Sequence, residues 1–296
     1  MAGYVVCIGK NAIDEYYKMD SYPALGDKVL LEYTGAIPGG FMANAATVAG
    51  ALGADCYMMD VLGDDIYTDV LMDTMKSHNV KTDLIEFVKD TPNIKTMILM
   101  VGDEKTVLLF KGKHKIPTID DRSLGLLRGA GFVYSNIADL SKFDNYKNLI
   151  EDFTSHGADL FIDAETSTFR DRVSEEFFFQ KARIISLNEF AVEKYCGDKG
   201  EAAFFELMGD DPRKIIVETL GSKGCRILTK DRTVDLPAFR IEPVDTTGAG
   251  DTFNGALVYG LLQGWDIEEA GRFASAAAAR SVLYKGARAG AVPAEE

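Results

Sequence analysis

The chain has 296 residues, of which 47% are hydrophobic and 26% are charged, as in an ordinary globular protein. Its 46 acidic and 32 basic residues give a net charge of −14, so we expect no nucleic-acid and no membrane partner, whose phosphates would be repelled. The first residues lack the features of a signal peptide, and no apolar stretch reaches the roughly eighteen residues of a membrane span. These features predict a cytoplasmic protein.

The residues that most often bind metals are scattered. The four cysteines, Cys7, Cys56, Cys196 and Cys225, form no C-x-x-C pair, so we expect reduced thiols and neither a disulfide framework nor a zinc site. The three histidines are equally isolated.

The first part of the chain alternates strand and helix patterns, which is typical of a parallel sheet with helical crossovers. Strands are predicted at 4–8, 29–33 and 56–62, a helix at 43–52 that ends before Gly53, and a second helix with Ile66, Val70, Leu71 and Met75 on its apolar face. Asn11 and Asp14 follow the first strand, either as ligand contacts or as loop residues. Asn44 lies in the first turn of the first helix, where its amide could bind a polyhydroxylated ligand or cap the helix locally.

A hairpin interrupts this alternation. Residues 94–100 and 106–110 are apolar runs that flank Gly102, Asp103 and Glu104. Together with 29–33 the hairpin could form a small second sheet that covers a site as a lid, or it could extend the edge of the main sheet.

Alternation resumes with strands at 132–135, 160–163, 184–187 and 215–219, separated by helices near 144–156, 174–181 and 189–207. Four of these segments end in polar residues, Asn136, Asp163, Asn188 and Thr219, which predicts one ligand-binding edge. The glycine loop at 219–224 is either a plain turn or, beside a phosphate site, a nucleotide contact. A last helix is predicted from Asp266 and Glu269 to about Tyr284, with small residues at 274–279.

The stretch from Asp245 to Gly255, DTTGAGDTFNG, joins an acid, a glycine-rich bend and a helix start. Apolar or small residues recur with helical spacing from Phe253 to Leu261, so residues 248–251 lie at a helix N-terminus. The free N–H groups of a first helical turn attract anions, which makes this bend a candidate phosphate cradle. Asp251 is either an ordinary first-turn charge or a base that takes a proton from an attacking hydroxyl.

Together these motifs resemble the ribokinase-like, or PfkB-type, carbohydrate kinases. The stretch from Asp245 to Gly255 closely resembles their second signature, and residues 39–44 are similar to the first. Residues 63–65 with Val80 and Asp83, the loop 219–224, and residues 285–287 resemble further family stretches in the expected order. The resemblance implies one α/β domain over residues 1–296. It is a three-layer αβα fold with a central, mostly parallel sheet and a small β-sheet lid from about 11–38 and 92–113.

By this resemblance, the chain transfers the γ-phosphate of ATP to a hydroxyl of a sugar or a sugar-like alcohol, with Mg²⁺. Asp251 would be the base, and the amides of Gly248, Ala249 and Gly250 the anion hole. The substrate would be held by Asp14, Asn11, Gly39, Gly40, Asn44 and Asn136. The nucleotide would be held by Asn188, Thr219, Gly221, Ser222, Gly224 and Ser275, with the adenine near residues 274–278.

The sequence departs from the family at the Asn-x-x-Glu motif, because Ala191 stands at the position of the acid. Glu189 could substitute and act on Mg²⁺ through water, or the metal could rely on water and phosphate alone. The family resemblance also makes K⁺ a possible cofactor, near Asp245, Thr247 and the loop that follows the last helix.

Two other functions remain open from the sequence. A nucleoside kinase would need an apolar slot for a base, which Phe41, Met42 and Phe110 could form. A non-catalytic sugar-binding regulator would have no need for Asp251. Arg170 and Arg172 either favour an anionic substrate or are surface charges. Apolar residues on both faces of the hairpin predict a homodimer formed through the lid.

Overall fold

The computed structural model describes residues 3–102, 104–110, 115–288 and 291–295, and contains two β-sheets. The strands are β1 (Val5–Ile8), β2 (Ala12–Lys18), β3 (Glu32–Gly39), β4 (Cys56–Leu62), β5 (Val80–Phe87), β6 (Lys95–Val101), β7 (Glu104–Leu109), β8 (Phe132–Ser135), β9 (Asp159–Ala164), β10 (Ile184–Asn188), β11 (Ile215–Thr219), β12 (Cys225–Leu228) and β13 (Thr233–Leu236). The α-helices are α1 (Phe41–Ala51), α2 (Thr68–Ser77), α3 (Asp121–Gly129), α4 (Ile137–Leu140), α5 (Tyr146–Ser155), α6 (Glu176–Lys181), α7 (Glu189–Cys196), α8 (Ala202–Met208), α9 (Ala249–Leu262) and α10 (Ile267–Ser281).

The larger sheet has nine strands in the order β13-β12-β11-β10-β9-β8-β1-β4-β5. Its strands are parallel from β5 to β11, and β12 and β13 are added antiparallel at one edge. The carboxyl ends of the parallel strands therefore meet at one edge of the sheet, where open α/β sheets bind ligands. This architecture confirms the predicted α/β class with a mostly parallel central sheet.

Alternation within the buried strands creates two hydrophobic cores, one on each face of this sheet. Val5 and Cys7 pack with α1, α2, α9 and α10, whereas Val6 and Ile8 pack with α3 to α8. Because successive strand residues point to opposite faces, a single apolar run supplies both cores. The result is the predicted three-layer αβα arrangement.

The smaller sheet has four strands in the order β3-β2-β6-β7. The hairpin of β6 and β7 was predicted, and it belongs to this separate sheet and not to the edge of the main one. Strand β2 lies within the lid range of about 11–38 that the family resemblance implies, but no strand was predicted there from the residue pattern, because polar residues interrupt its apolar run. Residues Gly102 and Glu104 flank Asp103, which lies outside the described residues, as do residues 111–113 of the predicted lid range.

Two predicted elements were misplaced. The strand predicted at 29–33 begins only at Glu32 and continues to Gly39, because its pairing with β2 starts at Glu32 and runs through residues 35–39, whereas Leu30 is 94% exposed. Helix α2 begins at Thr68, so Ile66 lies before it and is exposed, whereas Leu71 and Met75 are buried as predicted.

Two predictions from composition can be compared with the structure. All four cysteines are free and buried, as expected for reduced thiols. Within the described ranges, none of the helices has the length and apolarity needed to cross a membrane.

Candidate active site

Two helix N-termini bring Asn44 and Asp251 together. Asn44 lies in the first turn of α1 and Asp251 in the first turn of α9, and these helices pack closely because Gly255 has no side chain. A Cβ at Gly255 would lie 2.5 Å from the carbonyl oxygen of Ala45, so a larger residue would push the helices apart. The amide Nδ2 of Asn44 donates to Oδ2 of Asp251 at 2.7 Å. Both residues are at most 5% exposed.

Arg288 completes this group, although the sequence analysis did not identify it. Its Nε donates to Oδ1 of Asn44 at 2.8 Å, and its Nη2 donates to Oδ1 of Asn11 at 2.7 Å and to the carbonyl oxygen of Gly39. The side chain is buried, and burial lowers the pKa of Arg288 to about 10. A polar network thus joins three predicted substrate residues to the predicted base.

The environment of Asp251 favours its protonated form. Burial raises the pKa of Asp251 well above the ordinary value, and the nearby carboxylates of Asp163 and Glu165 raise it further. The hydrogen bond from Asn44 and the charge of Arg288 act in the opposite direction and lower this pKa. The carboxylate therefore has the strong basicity that proton abstraction from a hydroxyl requires.

Asp14 lies on β2 of the smaller sheet and faces this network. Its carboxylate accepts a hydrogen bond from Thr96 on β6, and burial raises the pKa of Asp14. A Cβ at Gly39 would lie 2.1 Å from Oδ2 of Asp14, and one at Gly40, where φ is +98°, would lie 2.3 Å from the carbonyl oxygen of Lys10. Gly39 thus allows the backbone to pass close to Asp14, and Gly40 allows it to pass close to the backbone of Lys10, which explains their place in the motif.

The glycine-rich bend adopts the conformation predicted for it. Gly248 is the N-cap of α9 with φ of +76°, and a Cβ there would lie 2.5 Å from that of Ala287. Gly250 has open space around its Cα within 4 Å, and Ala249 and Gly250 line a cavity. The amide of Ala249 makes a long, 3.3 Å hydrogen bond to Thr246, so this predicted donor is partly engaged.

A cavity of 460 Å³ lies on the other side of this bend. It is lined by all six residues predicted to hold the nucleotide, Asn188, Thr219, Gly221, Ser222, Gly224 and Ser275. Ala278, Ala279 and Val282 of the last helix and its following turn form part of the wall, close to the predicted adenine position. Cavities of this size accommodate small organic ligands.

The cavity also has lining residues that were not predicted. Phe190, Phe239 and Ile241 are exposed apolar side chains at its rim, and an aromatic base could pack against them. Asp163 had been noted only as a polar strand ending, and Glu165 had not been noted. The carboxylates of both residues face the cavity wall, where burial and Glu165 raise the pKa of Asp163 to about 7. Asn254 is buried beside them, and its Oδ1 has no hydrogen-bond partner among the described residues.

The predicted metal residues are largely occupied by other contacts. Asn188 caps α7 by accepting from the amide of Ala191 at 2.9 Å, and Glu189 accepts from Lys223 at 2.7 Å. Asp245 accepts from the amides of Thr247 and Gly286 and from the hydroxyl of Thr247. Lys105 of β7 donates to the Thr247 hydroxyl, and its ammonium lies 3.5 Å from Asp245.

Several other predicted residues lie apart from this site or are otherwise engaged. Asn136 caps α4, and both ends of its amide bond to Asp139, so its role in substrate binding stays a prediction. Arg170 is exposed, and Arg172 lies over the ring of Tyr195. Met42 is buried in the main core, so it is not available for the apolar slot that a nucleoside base would need.

Comparisons with known proteins agree with this geometry. A family model described as pfkB family carbohydrate kinase matches residues 2–295. The chain is 29% identical over 295 residues to the ribokinase of Bacillus subtilis, covering 97% of this chain and 95% of that protein. Its fold is similar to that of the Arabidopsis thaliana ribokinase complexed with ribose and ATP, with a TM-score of 0.85, 22% identity and coverage of 100% and 97%. It is also similar to that of the Methanocaldococcus jannaschii nucleoside kinase, with a TM-score of 0.82, 17% identity and coverage of 100% and 96%.

Proposed function

We propose that this chain, which belongs to the pfkB family of carbohydrate kinases, phosphorylates a hydroxyl of a small sugar or sugar-like molecule with ATP, using Asp251 as the base. Membership of this family makes the chain a phosphotransferase that acts on an alcohol group. The single observation that carries the proposal is the position of residues 248–251. The glycine-rich bend borders the cavity on one side, and the Asp251 carboxylate faces Asn44 and Arg288 on the other.

The residues of this chain divide the reaction between them. ATP would bind in the cavity with its terminal phosphate against the first turn of α9, where the backbone amides and the helix dipole stabilise negative charge. The sugar would lie among Asn11, Asp14, Asn44 and Arg288, with one hydroxyl directed at Asp251. Asp251 would take the proton from that hydroxyl as its oxygen bonds to the phosphorus and the ADP oxygen leaves.

Magnesium fits the acidic wall of the cavity. Asp163 and Glu165 would hold it there, together with the Asn254 oxygen that lacks a donor, because Mg²⁺ prefers oxygen ligands and keeps several waters. The bound ion would neutralise the charge of the phosphates. The proposal for Glu189 is weaker, since Lys223 already pairs with it. A potassium site would have to use main-chain carbonyls near Asp245, because both oxygens of that carboxylate accept hydrogen bonds.

The smaller sheet is proposed to act as the lid of this one domain. Asp14 and Lys105 belong to its strands, and both contribute to the site or its border. Its apolar residues Val107, Leu109 and Phe110 are between 48% and 67% exposed. This exposure supports a homodimer formed through the smaller sheet. Sedimentation velocity would test this proposal. A cytoplasmic location stays a prediction.

A coupled assay of ADP release tests the function directly. The panel contains pentoses, hexoses, sugar acids and nucleosides, each with MgATP. We expect turnover with at least one sugar or sugar acid, and weaker turnover with nucleosides, because Met42 is packed in the main core and is not available to contact a base. Sugar binding by calorimetry without ADP release from any compound would contradict the kinase and favour a sugar-binding regulator. Turnover with nucleosides alone would favour the nucleoside kinase.

A further inference from the structure

Arg288 is a buried cation whose hydrogen bonds go only to neutral groups. Three of its five N–H groups donate to Asn44, Asn11 and the Gly39 carbonyl oxygen. Its Nη1 is buried and has no partner among the described residues. No carboxylate oxygen in the described part of the chain lies within 4.0 Å of the guanidinium, although such a buried charge normally has a close counter-ion.

The nearest opposite charges lie on two sides of the guanidinium at longer range. Asp14 of the smaller sheet and Asp251 of α9 both interact electrostatically with Arg288. Two carboxylates, those of Asp163 and Glu165, oppose the ionisation of Asp251, as does its burial. The second cation near Asp14 is Lys105, which contacts Thr247 and Asp245.

The hydrogen bonds also have a direction. Nε of Arg288 can only donate, so it fixes the oxygen of the Asn44 amide on its own side, and the NH₂ of that amide then points to Oδ2 of Asp251. Without Arg288 the amide could turn over and present its oxygen to the carboxylate, which is repulsive. Orientation of the base therefore depends on the guanidinium.

We propose that Arg288 is a positioning residue for the base: it orients Asn44 toward Asp251, places a cation near this carboxylate that favours its ionised form, and offers Nη1 to an oxygen of the substrate. The role of Asp251 as a base rests on the proposed function. The hydrogen bonds that join Arg288, Asn44 and Asp251 do not depend on it. Because a guanidinium never accepts a hydrogen bond, the substrate atom that meets Nη1 is an acceptor oxygen.

Three substitutions separate charge from shape. Arg288→Met removes both, Arg288→Gln keeps an N–H donor without charge, and Arg288→Lys keeps the charge without the fork. In Arg288→Met and Arg288→Gln, we expect the acidic side of the pH profile of kcat/KM to move to higher pH by about one unit, since the loss of a nearby opposite charge raises a carboxyl pKa. In Arg288→Lys, the pH profile should stay in place while kcat falls roughly tenfold, because the base is less well oriented. Arg272→Met on the exposed side of α10 is the matched control and should change neither value.

Ionisation of Asp251 can also be followed without turnover. In protein labelled with ¹³C at the aspartate carboxyl carbons, the signal that disappears in Asp251→Asn belongs to Asp251, and its titration midpoint should rise in Arg288→Met and Arg288→Gln. This measurement remains valid if no substrate is phosphorylated, so failure of the kinase proposal is distinguishable from failure of this one. An unchanged midpoint in both variants, with circular dichroism showing a folded protein, would overturn the proposed charge role.

A double-mutant cycle tests the orientation role. In an Asn44→Ala background the amide is gone, so Arg288→Lys should lower kcat much less than it does in the wild type. Equal fold-losses of kcat in both backgrounds would show that Arg288 does not act through Asn44. This result would overturn the proposal that Arg288 orients Asn44 toward Asp251.

Discussion

The two sides of the glycine-rich bend differ in how they are built. On the nucleotide side, an open cavity is lined by glycines, small side chains and strand ends, and much of its wall is backbone. On the other side, Asn11, Asn44, Asp251 and Arg288 are almost completely buried, and their polar groups bond mainly to one another. The first side is ready to receive a ligand, whereas the second must exchange internal hydrogen bonds for bonds to substrate.

This contrast assigns different duties to the two sides. A pocket of backbone and small residues binds a constant part, the phosphates and base of a nucleotide, with little reorganisation. A network whose bonds must be replaced one by one rejects any molecule that leaves a buried polar group unpaired, and such rejection is strong. We therefore expect substrate selectivity to depend on the residues of the Arg288 side.

The largest expected effect comes from Asp251→Asn, which removes the base and keeps its shape. We expect kcat to fall about a thousandfold, within the range for loss of a general base, while the Kd for ATP changes little. Steady-state kinetics and calorimetry with ATP measure the two quantities. Near-wild-type turnover would contradict the assignment of Asp251 as the base. It would also remove the proposed difference in role between the two sides of the bend.

Ala278→Leu addresses the nucleotide side alone. The larger side chain would project from α10 into the cavity, so we expect the Kd for ATP to rise roughly tenfold, about 1.4 kcal/mol, with sugar affinity unchanged. Ala276→Leu, on the exposed part of the same helix, is the matched control and should leave ATP binding as it is. Equal effects of the two substitutions on ATP binding would argue against adenine lying near this helix.

The last expected effect concerns stability, not turnover or ligand binding, and it depends on pH. Burial and Glu165 raise the pKa of Asp163 from 3.8 to about 7, so between these pH values the folded state holds a proton that the unfolded state has lost. The free energy of unfolding therefore decreases as pH rises from about 4 to 7. Asp163→Asn keeps an acceptor for the hydrogen bond from Tyr134. At pH 8 this substitution should raise Tm, and the free energy of unfolding should increase by up to about 4 kcal/mol. At pH 4 it should have little effect on either quantity. The same Tm gain at both pH values would contradict the raised pKa.

The central fold could be predicted because its signals are local. The strands at 56–62 and 132–135 are uninterrupted apolar runs, and the structure places both where they were expected. Strand β2 was not predicted from its residue pattern because Asp14 and Glu15 interrupt its apolar run. Strands β12 and β13 were not predicted because charged residues, Arg226 and Asp235, interrupt their short apolar runs. Local patterns specify elements that are buried on both faces and say less about the others.

The site followed the same division. All six residues predicted to hold the nucleotide line the cavity, because glycines and polar strand ends mark a binding edge in the sequence itself. Arg288 was missed, because nothing near it in the sequence indicates that it meets a residue 244 positions earlier. Glu165 was missed for a similar reason, since its effect on Asp163 and Asp251 arises only from their arrangement in space.

The contact between Gly248 and Ala287 couples the bend to the network around the base. A Cβ at position 248 would lie 2.5 Å from that of Ala287, and the next residue, Arg288, donates to Asn44. A side chain at position 248 would therefore displace Ala287 and, with it, the neighbouring guanidinium. One local clash would disturb the phosphate cradle and the alignment of the base together.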